Sequence, residues 1–143
     1  MNIPEQLSLI YLELEHWHKE KLTYEESLSY FDHMLNSGNI ITVCDGDFVV
    51  GYVEFWRINY EQLGRLMCGE GLAAQAEDIT TGNIAYVANI YILEHYRNAG
   101  VFKMLLSRFR IVNDLCTHFC GEPRMSGNQS FRIFKRNRVP ERI

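Results

Sequence analysis

The sequence has no CxxC pair, no internal repeat, no low-complexity linker, and no apolar run near the roughly 20 residues that cross a bilayer. Its four cysteines, Cys44, Cys68, Cys116 and Cys120, are scattered, which argues against a disulfide framework or a zinc ribbon. The first 17 residues carry acids where a signal peptide carries Lys or Arg, so a cytoplasmic protein with no membrane partner is expected. Cys116, His118 and Cys120 stand at alternate positions, which on a strand would share one face and could begin a metal site. The other reading is a buried strand whose cysteines act as small hydrophobes, and no metal is expected.

Hydrophobic residues make up 47%, aromatics 13% and charged residues 22% of the 143 positions, the composition of a globular chain. That length predicts one domain over 1–143, able to bury about two-thirds of the surface its unfolded form exposes. The net charge of −4 conceals an asymmetry. Residues 1–96 hold 15 of 18 acids and 4 of 14 bases, a balance of −11, and residues 97–143 stand at +7. Either the C-terminal part meets an anion, or the two halves attract each other.

Pro4 followed by Leu7, Ile10, Tyr11, Leu14 and Trp17 predicts a helix running to about Lys19. Thr23 to Glu26 reads as a capping box for a second helix with Leu28, Phe31 and Leu35 inward, stopped by Ser37-Gly38-Asn39. Residues 39–44 and 48–56 are rich in β-branched and aromatic side chains, and Asp45-Gly46-Asp47 between them predicts a hairpin. Residues 59–82 form an irregular insertion with helical patches at Gln62–Met67 and Leu72–Ala76, weakened by Gly64, Gly69, Gly71 and Gly82. Ile84 to Leu93 is apolar on both faces and predicts a central strand. A helix follows from Gly100, marked by Val101, Met104, Leu105, Phe109 and Val112. Then come a short strand, Leu115–Cys120, and a basic amphipathic helix, Gln129–Arg138. The order α-α-β-β-β-α-β-α defines an α/β class with a mixed sheet.

At the exit of the central strand, Glu94 to Leu105 reads EHYRNAGVFKML, an Arg, an Asn and a Gly leading into a helix with no acid in its first turn. A strand-to-helix junction of this kind can aim backbone amides at a phosphate, and it can also simply turn a corner.

This order, with R-x-x-G between the long strand and the helix, resembles the GNAT family of CoA-dependent N-acyltransferases over roughly residues 20–138. That family's pyrophosphate loop reads [QR]-x-x-G-x-[GA], and Arg97-Asn98-Ala99-Gly100-Val101-Phe102 fits it except at Phe102. The resemblance implies a GNAT-like fold, acetyl-CoA as co-substrate and an amine acceptor, small molecule or protein. It also implies cofactor contacts from Ile90, Tyr91 and Ile92, from Arg97 through Phe102, and from Asn128. The usual first strand is missing before Pro4, and little chain follows the expected last helix for the usual final strands. A trimmed member that completes its sheet as a homodimer is the corresponding expectation.

Acetyl transfer needs a polarised thioester carbonyl, a route for the amine proton and an acid for the leaving thiolate. The resemblance places the family's frequent catalytic Glu at Tyr86, a poor base at neutral pH. Glu54 on the adjacent strand is the alternative base, or else a solvated strand residue. Asn89 could orient a water, and Tyr91 or Tyr96 could serve as acid. Seven residues after Asn128, where the family commonly has a Tyr, stands Lys135. The missing Glu and Tyr support a second expectation, a catalytically silent CoA-binding or interaction domain. A third, ranked last, is nucleic-acid binding through Arg124, Arg132, Lys135, Arg136, Arg138 and Arg142 on a helix carrying Phe131 and Phe134.

Overall fold

The computed structural model describes residues 1–14, 22–68, 79 and 81–121 and, beyond these, the backbone of 124–125, 128–129 and 132–135. Helix α1 (Ile3–Glu13) opens on a capping box in which the Asn2 side chain accepts from the Glu5 amide at 2.9 Å, with Pro4 in its first turn. It closes at Glu13, short of the expected Lys19, and Trp17 lies outside the described residues. Helix α2 (Tyr24–Asn36) has the predicted Thr23–Glu26 box and buries Ser27, Phe31 and Met34. Gly38 at φ +76° then turns the chain into strand β1 (Ile40–Asp45), and Gly46 at φ +59° carries the hairpin into β2 (Phe48–Ile58). Helix α3 (Tyr60–Met67), capped by Asn59 and Gln62, covers the first predicted patch of the insertion. The second patch, and Gly69 and Gly71, lie outside the described residues.

Strand β3 (Ile84–Ile92) leads through a 3-10 turn (Glu94–Tyr96) into α4 (Val101–Val112). Next come β4 (His118–Gly121), the two-residue pair β5 (Arg124–Met125) and β6 (Asn128–Gln129), and β7 (Arg132–Lys135). The main sheet runs β1-β2-β3-β4-β7, antiparallel throughout except for the parallel pair β3–β4. The central place expected for residues 84–93 is the place they occupy. Helices α1 and α2 cover one face over a core of Leu7, Phe31, Met34, Tyr52, Ile58 and Ile84, and α4 covers the other over Val53, Phe55, Ala85, Leu105 and Phe109. Two bulges decide which side chains go where. The pairing skips Val50 on β2 and Ala88 on β3, and each extra residue resets the alternation of faces.

Three expectations are corrected. The stretch read as a basic helix contains strand β7, whose Phe134 pairs with Phe119 and Ile133 with Cys120. A sheet edge left open by β4 supplies backbone partners that outweigh a weak helical period. That strand adds a fifth member to the main sheet beside β4. Cys116 and Cys120 do not share a face: Cys116 packs in the α4-side core and Cys120 in the α1/α2-side core. Among the described residues no group of three or more His, Cys, Asp or Glu could hold a metal. Finally, Met104 and Val112 on α4 are exposed, and its buried line is Val101, Leu105 and Phe109.

Candidate active site

The junction after β3 has the shape its sequence suggests. Gly100 is the N-cap of α4 at φ +81°, no side chain caps the helix, and its first turn carries no acid. The first amides of any helix lack intrahelical acceptors and sit at the positive end of its dipole. Arg97, Asn98, Ala99 and Gly100 are exposed. Arg97 Nε donates to the Ile92 carbonyl at 3.2 Å, which anchors the side chain to the end of β3. The Tyr96 hydroxyl donates to Asp45 Oδ2 at 2.5 Å, tying the loop to the β1–β2 turn and raising the phenol's pKa. Val101 is buried against Gly51 on β2, where a Cβ would not fit, so α4 starts hard against the sheet. Phe102 is 49% exposed, and its ring stays out of the core.

Beside this junction the sheet opens. Strand β4 pairs with β3 only from Ile84 to Val87, and β3 continues for five residues, Ala88 to Ile92, with no described partner on that side. Backbone groups along such an edge remain available to a ligand. Among the described residues the pairing of β3 with β4 therefore ends at Val87 and Gly121. Ile90 is 40% exposed, and Tyr91 is half-buried with its ring against that of Tyr52, centroids 6.1 Å apart.

Glu54, Tyr86, Asn89 and Tyr91 lie together on the α1/α2 side of the sheet. Glu54 is paired in register with Asn89 and is 8% exposed, which replaces the reading of it as a solvated strand residue. Its Oε2 accepts from the Tyr30 hydroxyl at 3.1 Å, and that hydroxyl accepts from Trp56 Nε1 at 3.3 Å. Burial, and then the adjacent Glu54 carboxylate, push the Tyr30 pKa well above the ordinary phenol value. Asn89 Nδ2 donates to the Tyr52 hydroxyl at 2.9 Å, so its amide is oriented with Oδ1 as the remaining acceptor. Tyr86 is buried with its ring 5.3 Å from the Trp56 ring.

Asn128 sits in β6, paired with Met125, rather than before a helix, and Lys135 closes β7. Sequence reading missed Tyr30, Tyr52 and Trp56. Tyr30 adjoins the buried face of α2 that Ser27, Phe31 and Met34 trace, and the i, i+4, i+7 spacing was the available signal. A shallow cavity of about 380 Å³ lies at the far end of β3 and α4, bordered by Arg57, Asn83, Asn113 and Leu115. Its Arg57 guanidinium is already bound to Asn113 Oδ1 and the Val112 carbonyl, each at 3.0 Å.

Neither a protein-family model nor a curated protein sequence matches the chain. Solved structures do. The GphF GNAT-like decarboxylase in complex with isobutyryl-CoA is 17% identical at a TM-score of 0.57, with 87% of this chain covering 64% of that one. The chain thus spans less than two-thirds of that protein. The aminoglycoside 6'-N-acetyltransferase AAC(6')-IG from Acinetobacter haemolyticus is 17% identical at a TM-score of 0.53, covering 96% of this chain and 94% of its own. AAC(6')-Iy, in complex with the bisubstrate analogue CoA-S-monomethyl-acetylneamine, is 15% identical at 0.55, covering 97% and 95%. This chain has the GNAT fold.

Proposed function

We propose that the chain is an acyl-CoA-dependent N-acyltransferase that moves an acetyl group from acetyl-CoA to an amine. One observation carries the reading: the strand that has no described partner on its β4 side from Ala88 to Ile92 feeds directly into the uncapped, acid-free start of α4 beside Arg97. The pyrophosphate would lie against the amides of Asn98 to Phe102 with Arg97 as its charge-assisted partner. The CoA arm would run along the open edge of β3, with the thioester oxygen at a main-chain amide near Tyr91 and Ile92. Solved structures of this fold that carry isobutyryl-CoA and a CoA bisubstrate analogue support a CoA ligand.

In the transfer the amine nitrogen attacks the thioester carbonyl carbon, a C–N bond forms, and the C–S bond breaks. An acceptor that arrives as ammonium loses two protons along the way. One goes to the departing thiolate, which leaves as CoA thiol, and one is released. We assign Glu54 to receive the amine proton and Asn89 Oδ1 to hold the amine or an intervening water, a reading supported by their pairing in register on one side of the sheet. Cys120 is no rival nucleophile, because burial pushes its thiol up to about 12. The acceptor class is a small-molecule or protein amine, drawn by the acidic first part of the chain and selected by the 59–82 segment.

A second reading, a CoA-binding domain without turnover, is favoured by the placement of Asn128 in a short strand pair with no described helix to present an acid. Titration calorimetry with acetyl-CoA, followed by thiol release with a panel of primary amines, tests both. Binding with release supports the transferase, and binding without release supports the silent domain. A folded protein that gives neither heat nor thermal shift at millimolar acetyl-CoA removes both.

A further inference from the structure

Trp56, Tyr30 and Glu54 form a hydrogen-bonded line whose direction is set by its first member. An indole N–H can only donate, so Trp56 Nε1 takes up a lone pair of the Tyr30 oxygen at 3.3 Å. The phenol's single proton is then left for Glu54 Oε2 at 3.1 Å. A protonated Glu54 could still accept at its carbonyl oxygen, but a charged carboxylate takes the phenolic hydrogen more strongly, so the line favours the ionised form. The bond crosses from the helix layer to the sheet, because Tyr30 stands on α2 and Glu54 on β2.

We propose that Tyr30 is a positioning residue for Glu54: oriented by the Trp56 indole, its hydroxyl holds the carboxylate in place and ionised as the proton acceptor of the transfer. The proposal rests on the acyltransferase reading. The surroundings fit it. Tyr52 and Trp56 flank Glu54 on β2, and Ile40 and Asn89 stand opposite it on β1 and β3. The titratable side chains described in the core on that side are the phenols Tyr11, Tyr30, Tyr52, Tyr86 and Tyr91 and the Cys120 thiol. Burial beside Glu54 makes Tyr30 harder still to ionise, so the donor persists wherever the base is charged.

The test is a carboxyl carbon NMR titration of the full chain, with the Glu54 signal assigned by its loss in Glu54→Gln. In Tyr30→Phe, which removes one donor from the charged form, the Glu54 midpoint should rise by about one pH unit or more. Trp56→Phe, which frees the phenol to rotate, should raise it by less in the same direction. Amide spectra establish that each variant is folded, and Trp56→Phe carries the test if Tyr30→Phe is not. Acetyl-CoA affinity by calorimetry should be unchanged in both. A Glu54 midpoint that is the same in the wild type and the folded variants overturns the pairing. A midpoint that shifts in a protein that binds no acetyl-CoA overturns the catalytic role through the parent reading, and the binding measurement separates the two failures.

Discussion

Gly51 on β2 and Val101 in the first turn of α4 meet with no space for a side chain between them: a Cβ on Gly51 would stand 2.7 Å from Val101 Cγ1 and 3.3 Å from the Tyr91 carbonyl. The contact sets the height of the helix start above the sheet, and with it the position of the amides proposed to hold pyrophosphate. Gly51→Ala should destabilise the fold by about 1–3 kcal/mol, since a short branched side chain has little freedom to move aside. Val101→Ala in the same chain should recover part of that loss, because the two positions share one space. Additive effects in thermal denaturation of the two single and the double variants would break the link.

Arg97→Ala should weaken acetyl-CoA binding by roughly 10- to 150-fold, the loss of one charge-assisted contact, while the melting temperature stays close to the wild type. Gly100→Val acts differently. No atom stands within 4 Å of a Cβ there, but at φ +81° a branched residue costs about 1–2 kcal/mol of backbone strain. Phe102→Ala, which removes a ring already half in solvent, should leave affinity within about twofold. Calorimetry on the three variants reads all of these outcomes.

Thiol labelling distinguishes the cysteines. Cys44 and Cys68 are exposed, and Cys116 and Cys120 are buried. At pH 8 the native protein should take up label at the first pair at once and at the second only on unfolding. The sign of the pH effect follows from Cys120. Its folded value of about 12 lies above the ordinary thiol value of 9.0, so its contribution to stability is complete below pH 9 and is lost as pH rises towards 12. Removal by Cys120→Ala should flatten denaturation midpoints across that alkaline range.

The Thr23 cap makes an acid-side prediction. Thr23→Ala should cost about 1 kcal/mol near neutral pH. Backbone and then side-chain hydrogen bonds from Thr23 hold the Glu26 carboxyl below its ordinary 4.5. The stabilisation is therefore complete above that value and fades as pH falls through the folded value. Chemical denaturation at several pH values should show a shallower acid-side loss in the variant than in the wild type.

The features legible in the amino-acid order are those decided within a few residues. Thr23 and Glu26 cap a helix because an Ncap hydroxyl and an N3 carboxylate reach each other's amides wherever they stand. Gly46 turns the hairpin because it accepts a positive φ, and Arg97 to Gly100 leave a helix start open because no acid or capping side chain follows. What only the tertiary structure decided depends on partners far along the chain. Phe131 and Phe134 carry a helical spacing, yet residues 132–135 pair with β4, since an open sheet edge satisfies backbone groups that local preference alone would have wound into a helix. Glu54 alternates along its strand like any surface residue. It is a buried carboxylate because α2 lays Tyr30 over it, a contact 24 residues apart that neither strand period nor charge count contains.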